Sequence, residues 1–570
     1  MNATPNALPG GPIARPGGRL LVDALRSQGV DMVFAVAGES YLEVIDALYD
    51  ARNEIKLVTC RHEAGAAHMA EAYGKLTGKP GVVMVTRGPG ACHAAIGIHS
   101  AHQNSTPLVM FVGQVDRDHT EREAFQEVDY RRMFGVMTKW TAQIDHAYRI
   151  PELVGRAFQT AVSGRPGPVV LALPEDMQLE SASVEDVAHY DTVRPHPGPA
   201  HMAELRRLLE ASERPVMLVG GGGWSPESCA GIVRFAEAND IPVCCSFRRQ
   251  DIFDNDNRCF AGDLSTAPNP PLIKRVKDCD LLLVVGSRLD EIATQRYTLI
   301  DLPNPKQILV HVHPDAELLG SVFRPKLAIQ SGMAEFAAAA GTLTPVDASR
   351  RAPWRADARK DYEDGQVPQP YAGALDLGRC MLWLRGRLPA DAIIALDAGN
   401  FSGWPMRFLR WRQPRTQTGP QAGAMGHGVP GAVAAKLVHP DRLVVGFCGD
   451  GGFMMNAQEL ATAIHHGASP VILVFNNGMY GTIRMHQERD HPGRTHATAL
   501  TNPDFAAMAR SFGAHGETVT TTAEFQAAFE RAVASGKAAV LDLKMDPDII
   551  TTRTTLTAMR AAAVARQKAK

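Results

Sequence analysis

The sequence predicts an α/β fold built from three doubly wound parallel-sheet domains. Three observations predict it. Short apolar runs bounded by Gly or Pro alternate with helix-period segments along nearly the whole chain, the pattern of strands covered by helices. The stretch "GDGGFMMNAQELATAIHHGASPVILVFNN" (Gly449 to Asn477) joins one apolar strand, "LVVGFC", to another, "PVILVFNN", through a helical segment, so the two strands should be parallel. Finally, "KLTGKPGVVMVTRGPG" (Lys75 to Gly90) and "KLVHPDRLVVGFCGDG" (Lys436 to Gly451) have equal length, and both run from a helix end through a turn and a strand into Gly-x-Gly.

The elements follow in order. The Pro/Gly-rich start, "MNATPNALPGGPIARPGG", has no apolar core and reads as a flexible lead rather than a signal peptide. A first block, 18–185, has strands at "DMVFAVAG", "PGVVMVTRG", "PLVMFVG" and "GPVVLALP". The connector "YDTVRPHPGPAH" leads to a second block, 200–345, with "PVMLVGGGG", "IPVCCSF", "DLLLVVGSR" and "QILVHVHP". "RRAPWRADARKDYEDGQVPQPYAG" reads as a second linker, and the third block, 372–548, holds the Gly449–Asn477 stretch. There "NAQELATAIHHG" reads as one helix ending at Gly467. The last segment, "LTAMRAAAVARQKAK", reads as a solvated basic helix. The equal-length segments relate blocks one and three, with a different domain between them.

Composition narrows the function classes. The net charge of −2 gives no electrostatic case for nucleic acid or an anionic membrane. No apolar run reaches the ~18 residues that span a bilayer. The 9 cysteines show no metal spacing, and reduced thiols of a cytoplasmic protein are the simplest reading.

The chemistry gathers at Gly449–Asn477. Both Gly-Asp-Gly and Asn-Asn fall at C-terminal strand ends, where open α/β sheets bind ligands. Asp450 and Asn477 then offer one carboxylate and one amide oxygen, the few hard ligands that Mg²⁺ takes alongside water and phosphate. Glycines there let backbone approach a phosphate. An ordinary crossover with two polar turns would also carry this pattern.

Further motifs resolve the choice. "CRHEAGAAHMAEAYGKLTGKPGVVMVTRGPG", "REAFQE" (Arg122 to Glu127), "TKW" (Thr138 to Trp140), "GAMGHGVPGA" (Gly423 to Ala432) and "GDG…NN" together resemble the thiamine-diphosphate enzymes, most closely their acetolactate-synthase-like branch. The resemblance covers nearly all of 18–548 and implies pyrimidine-binding, central and diphosphate-binding domains. It implies Mg²⁺ held by Asp450, Asn477 and the Met479 carbonyl. Gly399, Asn400, Gly449, Gly451 and Gly452 would meet the diphosphate, and Met425 would prop the bent cofactor. Glu63 would contact the aminopyrimidine, whose imino tautomer a carboxylic acid favours, and the cofactor itself supplies the hard chemistry. Gln126, Glu39 and His486 join Glu63 as catalytic candidates. A homodimer would be the minimum active unit and a homotetramer is common, with a small 2-oxoacid as substrate.

Three departures limit the substrate. Where acetolactate synthases read Pro-Gly-Gly, this chain has "VAGESY", placing Glu39 at the second glycine. Glu39 would fill room beside the reacting carbon and repel an anionic acceptor or, protonated, donate to the carbanion or hold a substrate hydroxyl. Otherwise it pairs with a nearby base or caps a helix starting at Ser40. A tryptophan selecting the larger acceptor in biosynthetic relatives is replaced by His486. The central "GGGGW" (Gly220 to Trp224) lacks the third glycine of a dinucleotide fingerprint, so FAD, present in some relatives, stays open. The readings are thus acetolactate-synthase-like carboligation, a 2-oxoacid decarboxylase or 2-hydroxyacyl lyase, and a non-catalytic protein of this fold. A nicotinamide dehydrogenase rests on "GGGGW" alone.

Overall fold

The computed structural model describes residues 13–370 and 373–569. They divide into two compact units, one of 13–74, 79–102 and 106–193, the other of 75–78, 103–105 and the described residues from 194 on. Residues 1–12 of the expected lead, and residue 372 at the expected start of the third block, lie outside the described residues.

The first unit holds one sheet of six strands: β1 (Met32–Ala35), β2 (Lys56–Thr59), β3 (Gly81–Val85), β4 (Leu108–Gln114), β5 (Trp140–Gln143) and β6 (Pro168–Pro174), in the order β2-β1-β3-β4-β6-β5. All neighbours are parallel. The central strands are buried along their whole length, as continuous Val-rich runs require when helices cover both faces. Part of the expected lead is ordered instead: Arg15–Pro16 pairs antiparallel with Ser181–Ala182, and a helix begins at Gly17.

The second unit holds two sheets. The central one contains β7 (Pro215–Val219), β8 (Val243–Ser246), β9 (Phe260–Leu264), β10 (Leu281–Val285), β11 (Ile308–His313) and β12 (Leu327–Gln330), in the order β9-β8-β7-β10-β11-β12. Numbered within the sheet this is 3-2-1-4-5-6, the dinucleotide-fold order. The other contains β13 (Ile393–Leu396), β14 (Gln417–Thr418), β15 (Val444–Gly449), β16 (Val471–Asn476), β17 (His515–Val519) and β18 (Ala539–Lys544), in the order β14-β13-β15-β16-β18-β17. That repeats the first unit's topology strand for strand, so the two equal-length sequence segments end in corresponding strands, β3 and β15. All neighbours in both sheets are parallel.

Four further expectations need correction. The segment after Gly449 forms two helices, Asp450–Asn456 and Glu459–His465, rather than one. The expected linker contains a helix, Ala352–Asp364, anchored by the buried Arg351, whose Nε donates to the Ser212 carbonyl. The C-terminal helix Leu556–Lys568 is not a free tail. Leu556 and Ala563 are buried, and Arg560 pairs with Glu488, a carboxylate with no exposed surface. Finally, the first turn after β1 leads into a 3₁₀ turn, Glu39–Tyr41, so its α-helix starts at Leu42 and not Ser40.

Candidate active site

The parallel pairing of β15 with β16 sets the geometry. Gly449 lies opposite Phe475, so Asp450 and the Asn476-Asn477 pair leave the sheet side by side. Gly478 then takes φ +68°, a conformation that favours glycine, and turns its amide back onto Asp450 Oδ2 at 2.8 Å. Asp450 is 3 % exposed. Its other partners are the Gly451 amide at 2.9 Å and Asn502 Nδ2 at 2.8 Å, and Asn502 also donates to Asn476 Oδ1 at 3.0 Å. Burial pushes the Asp450 carboxyl above its ordinary range, and the N–H donors act against that.

A buried carboxylate met only by neutral donors, beside an amide oxygen, fits a hard divalent cation. Asn477 Oδ1 accepts from the Met479 amide at 3.2 Å, so this amide oxygen lies at the same turn. The helix Asp450–Asn456 begins directly at the strand end, and first-turn amides there are donors suited to phosphate. Met425 closes the same turn: a Cβ at Gly451 would lie 3.4 Å from its Cε and 2.6 Å from the Tyr480 ring. The residues present therefore fit a diphosphate with its cation.

Sequence reasoning missed the staple under this edge. Asp397 is fully buried and accepts from the amides of Ala398 at 2.7 Å, Gly426 at 2.9 Å and His427 at 3.3 Å. A Cβ at Gly452 would lie 2.4 Å from its Oδ2, so only glycine fits there. One carboxylate thus ties together the turns carrying Gly399, Met425 and Gly452. Its place at a strand end before Gly399 was the available signal. Asn502, in a loop far along the chain, left no such signal. Replacing Asp397 with Ala strands the buried amides of Gly426 and His427 and the part-buried amide of Ala398. The expected loss is about 3 kcal/mol of apparent stability, read as a shift in urea midpoint; a loss under about 1 kcal/mol would remove Asp397 from this role.

Gly399 and Asn400 form the neighbouring turn. The Asn400 amide donates to Thr482 Oγ1 at 3.1 Å, and its side chain reaches Met485 Sδ at 3.2 Å. Both partners sit on the helix Gly481–Asp490, which also carries His486. His486 Nδ1 is buried with no hydrogen-bond partner among the described residues, and burial pushes the imidazole below its ordinary range, toward the neutral form.

In the first unit, Glu63 opens the helix Glu63–Thr77 and is 9 % exposed, so it is not a solvated surface glutamate. Its Oε2 lies 2.9 Å from His93 Nδ1, and the His93 and His62 rings stack with centroids 4.5 Å apart. His93, just beyond the Gly-Pro-Gly of the motif, was another residue that sequence reasoning passed over. Gly90 borders Glu63: a Cβ there would lie 3.4 Å from Oε1 and 3.0 Å from Thr86 Cγ2. Thr86 Oγ1 is hydrogen-bonded to Ser40 Oγ at 2.9 Å. Gln126 packs against the same ridge with φ +65°, its backbone oxygen 2.7 Å from the Cβ position of Gly88. Glu39 is 65 % exposed at the side chain and pairs with Arg87 at 3.0 Å. Of the roles weighed for it, pairing with a base is the one the structure displays.

Part of the central domain's glycine run has a packing explanation. Gly221 takes φ +70°, and a Cβ there would lie 2.0 Å from the Gly286 carbonyl. The Trp224 indole N–H closes the turn on the Gly220 carbonyl at 2.8 Å.

Fold and site together define the class: an α/β enzyme made of three parallel-sheet domains. Family models of the thiamine pyrophosphate enzymes match in the same order: the N-terminal TPP binding domain at residues 15–133, the central domain at 202–340 and the C-terminal TPP binding domain at 397–543. The chain is 31% identical to the acetolactate synthase isozyme 2 large subunit of Escherichia coli K12, over 93% of this chain and 95% of that one. It is 33% identical to the acetolactate synthase large subunit of Parasynechococcus marenigrum, over 88% and 83%. With the probable acetolactate synthase large subunit of Methanocaldococcus jannaschii it shares 30%, over 93% and 92%. The chain belongs to the thiamine pyrophosphate enzymes, in their acetolactate-synthase-like branch. It depends on thiamine diphosphate, the compound also called thiamine pyrophosphate.

Proposed function

We propose that the protein decarboxylates a 2-oxoacid such as pyruvate and joins the remaining fragment to a second carbonyl compound. The observation that carries this reading is Glu63: a sheltered carboxylate with a hydrogen-bonded histidine, at the position that the motif resemblance gives to the family's glutamate. When bound, thiamine diphosphate supplies the electron-accepting thiazolium ring. Glu63 holds and exchanges a proton at its carboxylate, while His93 fixes the other side of that group. Asp450, Asn477 and the Met479 carbonyl are assigned to Mg²⁺. Gly399, Asn400, Gly449, Gly451 and Gly452 are assigned to the diphosphate, and Met425 to the prop. The domain limits 18–185, 200–345 and 372–548 belong to the same proposal. FAD is not part of this proposal; close contacts within the chain account for Gly220 and Gly221.

A second reading, 2-oxoacid decarboxylase or 2-hydroxyacyl lyase, draws on Glu39 in place of a glycine. His486, smaller and more polar than tryptophan, argues against a strong preference for 2-oxobutyrate over pyruvate as acceptor. Gln126 and His486 are kept as catalytic candidates. No helix among the described residues is long and apolar enough to cross a membrane, and the nine free thiols support a reducing cytoplasm. A homodimer is the expected minimum assembly, with a tetramer the next.

The test is a screen of 2-oxoacids with thiamine diphosphate and Mg²⁺, following CO₂ and identifying products. Acetolactate from pyruvate supports carboligation. Aldehyde alone moves the reading to decarboxylase. Absence of CO₂ from every 2-oxoacid overturns it.

A further inference from the structure

Arg87 is a charge that the proposed function leaves unused. It ends β3's turn directly after Thr86, and its side chain is 11% exposed. Three acceptors surround it. One terminal nitrogen pairs with Glu175, Nε donates to the Phe125 carbonyl at 3.3 Å, and Nη2 pairs with Glu39 Oε1 at 3.0 Å. The two carboxylates are held differently. Glu175 is 36% exposed, while Glu39 is 65% exposed and its second oxygen accepts no hydrogen bond among the described residues.

A nearly buried guanidinium requires a counter-charge. Its planar fork matches a carboxylate through two parallel N–H bonds, and Glu39 uses one. An incoming carboxylate that takes over from Glu39 keeps the charge balance and gains the better geometry. Glu39 then turns into water at little cost, because most of it is already there. The location suits a substrate. Thr86, next to Arg87, lies across Gly90 from the Glu63 carboxylate, and its hydroxyl is bonded to Ser40, the residue after Glu39.

We propose that Arg87 is a specificity-determining residue that receives the carboxylate of a 2-oxoacid, and that Glu39 is its displaceable placeholder. This rests on the reading of the protein as a 2-oxoacid enzyme. It also changes what Glu39 means: in the pair, its charge is spent on Arg87 rather than turned against an anionic acceptor.

Two substitutions should act in opposite directions. In the full-length holoenzyme, Arg87→Met raises KM for pyruvate at least tenfold, with thiamine diphosphate affinity within twofold of wild type. Glu39→Gln keeps the size, removes the competing charge and lowers that KM severalfold. Arg87→Lys, which keeps charge but loses the fork, covers the case in which Arg87→Met does not fold, and it should also raise KM. If both sites shift KM the same way, or neither shifts it, the pair only props the turn and the proposal falls. Calorimetric binding of oxamate, an unreactive carboxylate of the same size, separates this from the functional reading. Binding to wild type that Arg87→Met weakens at least tenfold supports Arg87 whatever the turnover. Equal affinities, or no binding to wild type, overturn it.

Discussion

Glu63→Gln is expected to leave thiamine diphosphate binding intact while turnover falls by roughly 10²–10⁴-fold, the range that a positioned acid–base group supplies. Glutamine keeps the length and planarity of the side chain, so contacts around Gly90 and His93 survive. What it loses is an exchangeable carboxylic proton. The surroundings cannot replace it easily: the group is 9 % exposed, so bulk water reaches it poorly. Steady-state turnover, read beside calorimetric titration of the cofactor, checks both halves. Turnover within a few-fold of wild type would strip Glu63 of its role. Weakened binding with proportionate loss of rate would make it a contact residue only.

Asp450→Ala should lower cofactor affinity in the presence of Mg²⁺ by at least about tenfold, or about 1.4 kcal/mol. Two effects act together. The variant lacks the hard oxygen assigned to the cation, and the amides of Gly478 and Gly451 lose their acceptor, which loosens the turn that presents Asn477. Chelation separates them. EDTA should weaken cofactor binding to wild type by a similar factor and add little in the variant, because its cation site is already lost. An unchanged titration curve in Asp450→Ala, with circular dichroism confirming a retained fold, would sink the metal assignment.

How much of this was legible in the sequence depended on the kind of signal. Central strands such as Val444–Gly449 and Leu281–Val285 are covered on both faces, so every residue is apolar and the run stands out. Edge strands do not announce themselves. Leu327–Gln330 alternates buried and exposed over four residues, and Gln417–Thr418 is two residues long. Too few side chains carry the period there. The break between Asn456 and Glu459 was equally hidden, because no Pro or Gly marks it.

The sequence by itself determined the α/β class, the crossover that brings Asp450 to Asn477, the kinship of the first and third blocks, and the candidate set around Glu63. The first three are written in apolar patterns and fixed spacings, which a chain carries locally; the set around Glu63 comes from the motifs' resemblance to a known family. Only the tertiary structure decided partners. Asp397 reaches the amides of Gly426 and His427 because strand order sets those turns at one sheet edge. Asn502 bridges Asp450 and Asn476 from a loop that shares no periodicity with either. Glu39 meets Arg87 because β1 and β3 are neighbours, although 48 positions separate the two residues. A side chain's chemistry is local, but the group that satisfies, neutralises or orients it is chosen by topology, and topology is a property of the whole sheet.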